Sequence, residues 1–167
     1  TIIQIREKDC GYLDFYRRAM DIMEVTKKSG VPCIINDRVD IALAVDADGV
    51  HVGQEDLPAS VVRQLIGNDK ILGVSASTIE EARAAEKDGA DYIGVGAVYP
   101  TSTKADAGKA IGLSRIKEIA AAVHIPIVAI GGINHENVAE TIQAGAKGAA
   151  VVSAIVAADD IRLAAEK

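Results

Sequence analysis

Short runs of β-branched and apolar residues recur along this chain, and each is followed by a stretch with helical spacing. The runs are Ile2–Arg6, Cys33–Asn36, Val50–Gly53, Ile71–Ser75, Tyr92–Gly96, Ile127–Gly131 and Ala149–Ser153. The stretches between them predict helices over Tyr12–Ser29, Val39–Val45, Ala59–Ile66, Ile79–Asp88, Ser114–Val123, His135–Ala144 and a last one near Asp159–Glu166. Strands alternating with helices imply a parallel sheet, because a parallel connection has to cross back over the sheet it leaves. The core composition agrees. Hydrophobic residues make up 49% of the chain but aromatics only 3%, so the interior is built from Val, Ile, Leu and Ala. That mixture suits strands buried on both faces under Ala-rich helices.

Local punctuation supports the same elements. Thr78 with Glu81 has the spacing of a capping box, and Asn134 is placed to cap a helix after Gly131-Gly132. Gly30, Gly89 and Gly145 each follow a helical run, where a left-handed residue closes the helix. A weak internal repeat also appears. Ala47-Asp48-Gly49-Val50 echoes Ala90-Asp91-Tyr92-Ile93, and Ala146-Lys147-Gly148-Ala149 echoes both. Repeated βα units point to a barrel or a doubly wound sheet. Seven strands fall one short of a closed barrel, and 167 residues fall below the roughly 200–250 usual for one. The expectation is therefore a single domain over 1–167, a (β/α)8 TIM barrel with its first βα unit absent from this sequence. Such a barrel has an exposed sheet edge, which leaves pairing with a second copy as a homo-oligomer open.

The net charge of −6 disfavours broad nucleic-acid binding, which needs a basic surface. Cys10 and Cys33 fit neither a zinc motif nor a disulfide framework. No apolar run reaches the roughly 18–20 residues of a membrane span, and no signal peptide is visible. The compartment expected is the cytoplasm.

Charged residues collect where strands end. In Gln4-Ile5-Arg6-Glu7-Lys8, the period of two puts Gln4, Arg6 and Lys8 on one face. They offer phosphate a guanidinium fork and a point charge, or else they form a solvated strand end paired to Glu7 and Asp9. Asp37 follows Ile34-Ile35-Asn36, and Asp56 follows Val52-Gly53-Gln54-Glu55. Either aspartate alone reads as the cap of the next helix. Together, on consecutive strand ends, they form a carboxylate pair suited to Mg2+, which binds through one or two carboxylates plus phosphate oxygens and water. Tyr99-Pro100-Thr101-Ser102-Thr103-Lys104 opens the one long polar loop, Pro100–Gly112, and carries three aliphatic hydroxyls and a cation. It is either an ordinary polar loop or one that brings Lys104 to a phosphate. Gly131-Gly132 and Val152-Ser153 close the last two strands, the usual phosphate position in such barrels. His51, inside a strand, and His124, at a strand start, are poor catalytic candidates.

These segments, in this order, resemble the thiamine-phosphate synthase family. The motifs are Gln-Ile-Arg-Glu-Lys at Gln4, Ile-Asn-Asp-Arg at Ile35, Gly-Val-His-Val-Gly-Gln-Glu-Asp at Gly49, Gly-Val-Ser at Gly73, Pro-Thr-Ser-Thr-Lys at Pro100 and Ala-Ile-Gly-Gly-Ile at Ala129. The resemblance runs from Gln4 to Ser153. It implies a (β/α)8 fold and a transferase that joins aminopyrimidine-methyl diphosphate to hydroxyethyl-thiazole phosphate, giving thiamine phosphate and pyrophosphate. It implies Asp37 and Asp56 as Mg2+ ligands. Gln4, Arg6, Lys8, Asn36, Ser75 and Lys104 would contact the pyrimidine diphosphate, with Arg6, Lys8 and Lys104 stabilising the departing charge. Thr101, Thr103, Gly132, Val152 and Ser153 would bind the thiazole phosphate. One departure is visible: the family often has His soon after the serine matched by Ser75, whereas this chain reads Ser75-Ala76-Ser77. A thiazole tautomerase on the same fold, or an inert phosphate-binding barrel or fragment, are the competing readings. Retention of Arg6, Lys8, Asp37, Asp56 and Lys104 argues for the synthase.

Overall fold

Cys33-Ile34-Ile35-Asn36 is buried at every position, and so is Gly49-Val50-His51-Val52. Strands covered on both faces in this way belong inside a parallel α/β sheet. The computed structural model describes residues 2–101, 103 and 109–166. Among them are seven strands and eight helices. The chain divides into two compact units, Thr1–Val74 with Asp88–Asp91, and Ser75–Lys87 with Tyr92–Lys167.

The first unit runs β1 (Ile3–Ile5), α1 (Tyr12–Lys28), β2 (Cys33–Asn36), α2 (Val39–Ala44), β3 (Gly49–Val52), α3 (Ala59–Ile66) and the first four residues of β4 (Ile71–Ser75). Its strands pair in chain order and in parallel, with Ile5 opposite Ile35, Asn36 opposite His51 and Val52 opposite Val74. Helix α1 buries Phe15, Ala19, Met23 and Thr26, a stripe at helical spacing. The second unit runs α4 (Ile79–Lys87), β5 (Tyr92–Gly96), α5 (Gly112–Ala120), β6 (Ile127–Ile130), α6 (Val138–Gln143), β7 (Gly148–Ala150), α7 (Ser153–Val156) and α8 (Ile161–Glu166). Here β5, β6 and β7 pair in parallel. Ile93, Val95, Ile116, Ile119, Ile127 and Ala129 form the centre of its core, with no aromatic among the fully buried members.

The repeat seen in the sequence has a physical meaning. Asp48 N–H donates to Cys33 O at 2.9 Å, and the Asp48 carboxylate accepts from Cys33 N–H at 2.7 Å. Asp91 does the same to Leu72, at 2.8 and 2.7 Å. Each aspartate thus closes a two-way link to the preceding strand. Lys147, at the third copy, keeps the backbone link to Ile127 O at 2.8 Å but has no acceptor to return.

Arg63 staples the first unit. Its guanidinium donates to Gly89 O at 2.8 and 3.0 Å, Gly67 O at 2.7 Å, Lys70 O at 2.8 Å and the Asp91 carboxylate at 2.6 Å. Only 15% of its side chain is exposed, and its bonds to Gly89 O and Lys70 O are partly buried, so its removal breaks several sheltered bonds at once. Arg63→Ala is expected to destabilise the protein by about 2–4 kcal/mol, since hydrogen bonds to charged groups contribute about 1.5–3 kcal/mol. The check is a melting midpoint lower by roughly 5–15 °C. An unchanged midpoint would mean that water replaces the staple at no cost.

Several sequence expectations are corrected. Strand β1 stops at Ile5, so Arg6 and Lys8 lie beyond it and do not share a face by pleating. Strand β7 is Gly148–Ala150, and Ser153 opens a short helix instead of ending a strand. Helix α6 starts at Val138 with Asn137 at its cap position, because Asn134 closes a separate turn, accepting from Glu136 N–H at 2.8 Å. The capping box is present as expected, with Glu81 N–H to Thr78 Oγ1 at 3.1 Å and Thr78 N–H to the Glu81 carboxylate at 3.3 Å. Gly30, Gly89 and Gly145 all take the left-handed backbone.

Candidate active site

The backbone after β2 turns sharply. Asp37 N–H donates to His51 O at 2.7 Å, and Arg38 N–H to Asn36 O at 2.7 Å. Asp37 itself sits at φ 63°, a left-handed conformation that aspartate tolerates better than most residues. Helix α2 begins only after Arg38, and no side chain caps it. Helix α3 begins after Pro58, again without a side-chain cap. Neither Asp37 nor Asp56 is therefore the helix cap that each resembles in isolation. Asp56 instead turns back on its own loop and accepts from Gly53 N–H at 2.7 Å.

The two carboxyls meet. Asp37 lies within hydrogen-bonding reach of Asp56, and burial together with that neighbour pushes the Asp56 carboxyl up, while Gly53 N–H and Lys8 oppose the shift. Lys8 Nζ is 2.5 Å from Asp37 Oδ2. That contact raises the lysine above its ordinary value, and Arg6 is near enough to oppose the rise. Among the described residues no group of three or more His, Cys, Asp or Glu gathers into a metal cage. A hard cation here would take two carboxylates from the protein and the rest of its oxygens from substrate and water, the pattern typical of Mg2+. Two close carboxylates fit that ion. Asn36, buried at the end of β2, stands beside His51 in register. Gln4 is exposed on β1.

A second set of polar groups lies in the other unit. Val98 N–H to Ile130 O at 2.9 Å and Tyr99 N–H to Gly131 O at 3.0 Å carry the pairing past the ends of β5 and β6. Tyr99 Oη donates to the Glu140 carboxylate at 2.6 Å and lies 3.3 Å from Thr141 Oγ1, which anchors the loop to α6. Beyond that anchor, Thr103 N–H donates to Thr101 Oγ1 at 3.3 Å, and Thr103 Oγ1 lies 3.2 Å from Ser153 Oγ. Three hydroxyls expected to serve one phosphate are thus gathered. Gly132 takes φ 66° against Pro100 and Tyr99, and Val152 is half exposed. Ser75 ends β4 and is half-buried. Lys104 lies outside the described residues, as do Ser102 and residues 105–108.

A thiamine monophosphate synthase family model matches residues 1–155. The chain is 58% identical to a thiamine-phosphate synthase of Ruminiclostridium cellulolyticum over 167 residues, covering 100% of this chain and 79% of the relative. It is 57% identical to that of Clostridium beijerinckii, with the same coverage of 100% and 79%. The chain belongs to the thiamine monophosphate synthase family. A solved thiamine phosphate pyrophosphorylase from Pyrococcus furiosus superposes with a TM-score of 0.91 at 44% identity, over 99% of this chain and 79% of that one. For a member of the thiamine monophosphate synthase family, the Tyr99–Glu140 anchor is a residue pair that motif reading passed over. The signal available was an aromatic residue directly before the Pro-Thr-Ser-Thr stretch. His51 is buried. His124 is exposed, and its backbone N–H donates to Glu86 at 2.7 Å.

Proposed function

We propose that this chain is a transferase that joins an aminopyrimidine-methyl diphosphate to hydroxyethyl-thiazole phosphate, releasing pyrophosphate and forming thiamine phosphate. The observation that carries this reading is identity above half to thiamine-phosphate synthases over the full chain, together with the family match. The finer fold of the proposal is one domain of the (β/α)8 barrel type, of which seven strands are present among the described residues. Asp37 and Asp56 would hold Mg2+, which supplies a Lewis acid for the diphosphate oxygens.

The chain's own groups then have distinct tasks. Arg6 presents a planar fork to the diphosphate, Lys8 a mobile point charge, and Lys104 a third cation. Their charges favour the state in which the bridging oxygen has gained negative charge, so they act on bond breaking more than on binding. Gln4, Asn36 and Ser75 orient the pyrimidine diphosphate by hydrogen bonding. Thr101, Thr103 and Ser153 donate to the thiazole phosphate, while Gly132 and Val152 let the backbone approach it. The C–O bond breaks with its electron pair going to pyrophosphate, leaving a pyrimidine-methyl cation stabilised by the amino group. The thiazole nitrogen supplies the pair that forms the new C–N bond. No protein nucleophile is consumed. Among the described residues no helix is long and apolar enough to cross a membrane. Cys10 and Cys33 are both free thiols, which supports a reducing, cytoplasmic setting.

The direct test is incubation with both substrates and Mg2+, following thiamine phosphate and pyrophosphate by chromatography. Equimolar formation of the two is expected. Isomerised thiazole without thiamine phosphate, or no product, would overturn the assignment.

A further inference from the structure

We propose that Lys8 is a displaceable counter-cation of the Asp37–Asp56 pair: it neutralises the carboxylates while the metal is away and transfers to the diphosphate when the metal arrives. The inference rests on the metal-site reading above and adds an order to it. Lys8 Nζ and a divalent cation compete for the same carboxylate, because the ammonium already sits 2.5 Å from Asp37 Oδ2. Mg2+ binds carboxylate oxygen at about 2.0–2.1 Å, and two cations held so closely on one carboxylate repel each other, so metal binding weakens the hold on Lys8.

The two partners differ in freedom. Asp37 is fixed by its N–H bond to His51 O at 2.7 Å and by the turn that places it, and its side chain is only 18% exposed. Lys8 lies beyond the end of β1 and its side chain is 48% exposed. Its neighbour Glu7 is held by Arg18 at 2.5 Å, so the backbone there is tethered while the lysine stem is not. Four flexible methylenes then let the ammonium swing to a new partner without moving the loop.

The energetic consequence is a coupling between ligands. Metal alone must break the Lys8–Asp37 pair and gains nothing from the freed lysine. Metal with diphosphate breaks the same pair but gives Lys8 a new anion. Binding of the two is therefore cooperative, and the free enzyme holds metal weakly until substrate arrives.

The experiment titrates the whole protein with Mn2+ alone, read by water-proton relaxation, and separately with pyrophosphate at saturating Mg2+ by calorimetry. Lys8→Met is expected to bind Mn2+ alone roughly two- to fivefold more tightly, the range that loss of a half-exposed ion pair sets. The same variant is expected to bind magnesium pyrophosphate at least about tenfold more weakly, through loss of a charge-assisted contact. Lys8→Arg keeps the charge and should leave Mn2+ affinity near that of the parent. Lys8→Met affinity for Mn2+ that is unchanged or weaker would overturn the proposal. Equal Mn2+ binding by the parent and Asp37→Asn would overturn the metal-site reading and this inference together. An Asp37-dependent site that Lys8→Met fails to tighten would overturn this inference alone. Because Lys8 is half exposed, its variants should melt with the parent. Should Lys8→Met melt lower, Lys8→Gln, which keeps a polar side chain, makes the same comparison with the same expected and overturning results.

Discussion

Removing the charge of Asp37 or Asp56 is expected to abolish magnesium-dependent pyrophosphate binding and to lower kcat/KM by at least about a hundredfold, the scale on which loss of one preorganised electrostatic group acts. The best single variant is Asp37→Asn. Asparagine accepts the left-handed backbone at φ 63° about as well as aspartate, so the turn survives while the charge does not. Asp37→Ala adds a backbone cost of roughly 1–2 kcal/mol that has nothing to do with the metal. At the second position, Asp56→Asn keeps an acceptor for Gly53 N–H, now bound at 2.7 Å. Neither change removes a helix cap, because α2 and α3 start without side-chain caps. Folding and function are therefore separable in these variants. Calorimetry with pyrophosphate, in the presence and absence of Mg2+, gives the answer. If both variants retain the magnesium dependence of the parent, the carboxylate pair is not the metal site.

The strands were easy to read because buried β-branched runs leave few alternatives. Cys33–Asn36, Ile71–Ser75 and Tyr92–Gly96 match their predicted bounds. Errors concentrate where a short polar residue chooses between two backbone roles. Asn134 has the chemistry of a helix cap, yet it closes a turn one step upstream, and Asn137 takes the cap position. Local sequence does not distinguish those outcomes, since both satisfy the same N–H groups. The sequence pattern overstates the extent of β1 for a similar reason. Gln4, Arg6 and Lys8 alternate like strand residues, but pairing with β2 ends at Ile5 opposite Ile35. What places Lys8 is its ion pair with Asp37, a contact 29 positions away in the chain that no periodicity encodes. The same holds for Arg63, whose partners Gly89 and Asp91 follow it by 26 and 28 positions. Asp37 shows the opposite case. Its residue type permitted both a cap and a ligand, and the positive φ, visible only in three dimensions, excludes the first.

Gly132→Ala is expected to raise the KM for thiazole phosphate at least about tenfold and to cost about 2–4 kcal/mol in stability, combining a left-handed backbone penalty with overpacking. A Cβ at this position would lie 2.7 Å from Pro100 O and 2.8 Å from Tyr99 Cβ. Neither atom is the free end of a flexible chain. Tyr99 is held by its N–H bond to Gly131 O at 3.0 Å and by its hydroxyl bond to Glu140 at 2.6 Å. The added methyl therefore has to push the Tyr99–Pro100 segment away as a unit. Thr101 and Thr103 follow that segment, so the hydroxyls gathered near Ser153 move with it. Binding of the thiazole phosphate should suffer beyond that of magnesium pyrophosphate, because Gln4, Arg6, Lys8, Asn36, Asp37 and Asp56, most of the groups assigned to the latter, belong to the first unit. Gly148→Ala is the matched control. Its nearest neighbour would be Val128 Cγ2 at 3.8 Å, an ordinary contact, and its backbone is not left-handed. A Gly132→Ala enzyme with the parent's KM for thiazole phosphate would show that the loop's position does not set phosphate binding. A similar loss in Gly148→Ala would trace the effect to general softening of the second unit. Selective damage at Gly132 alone ties the hydroxyl loop to the substrate that it is assigned to hold.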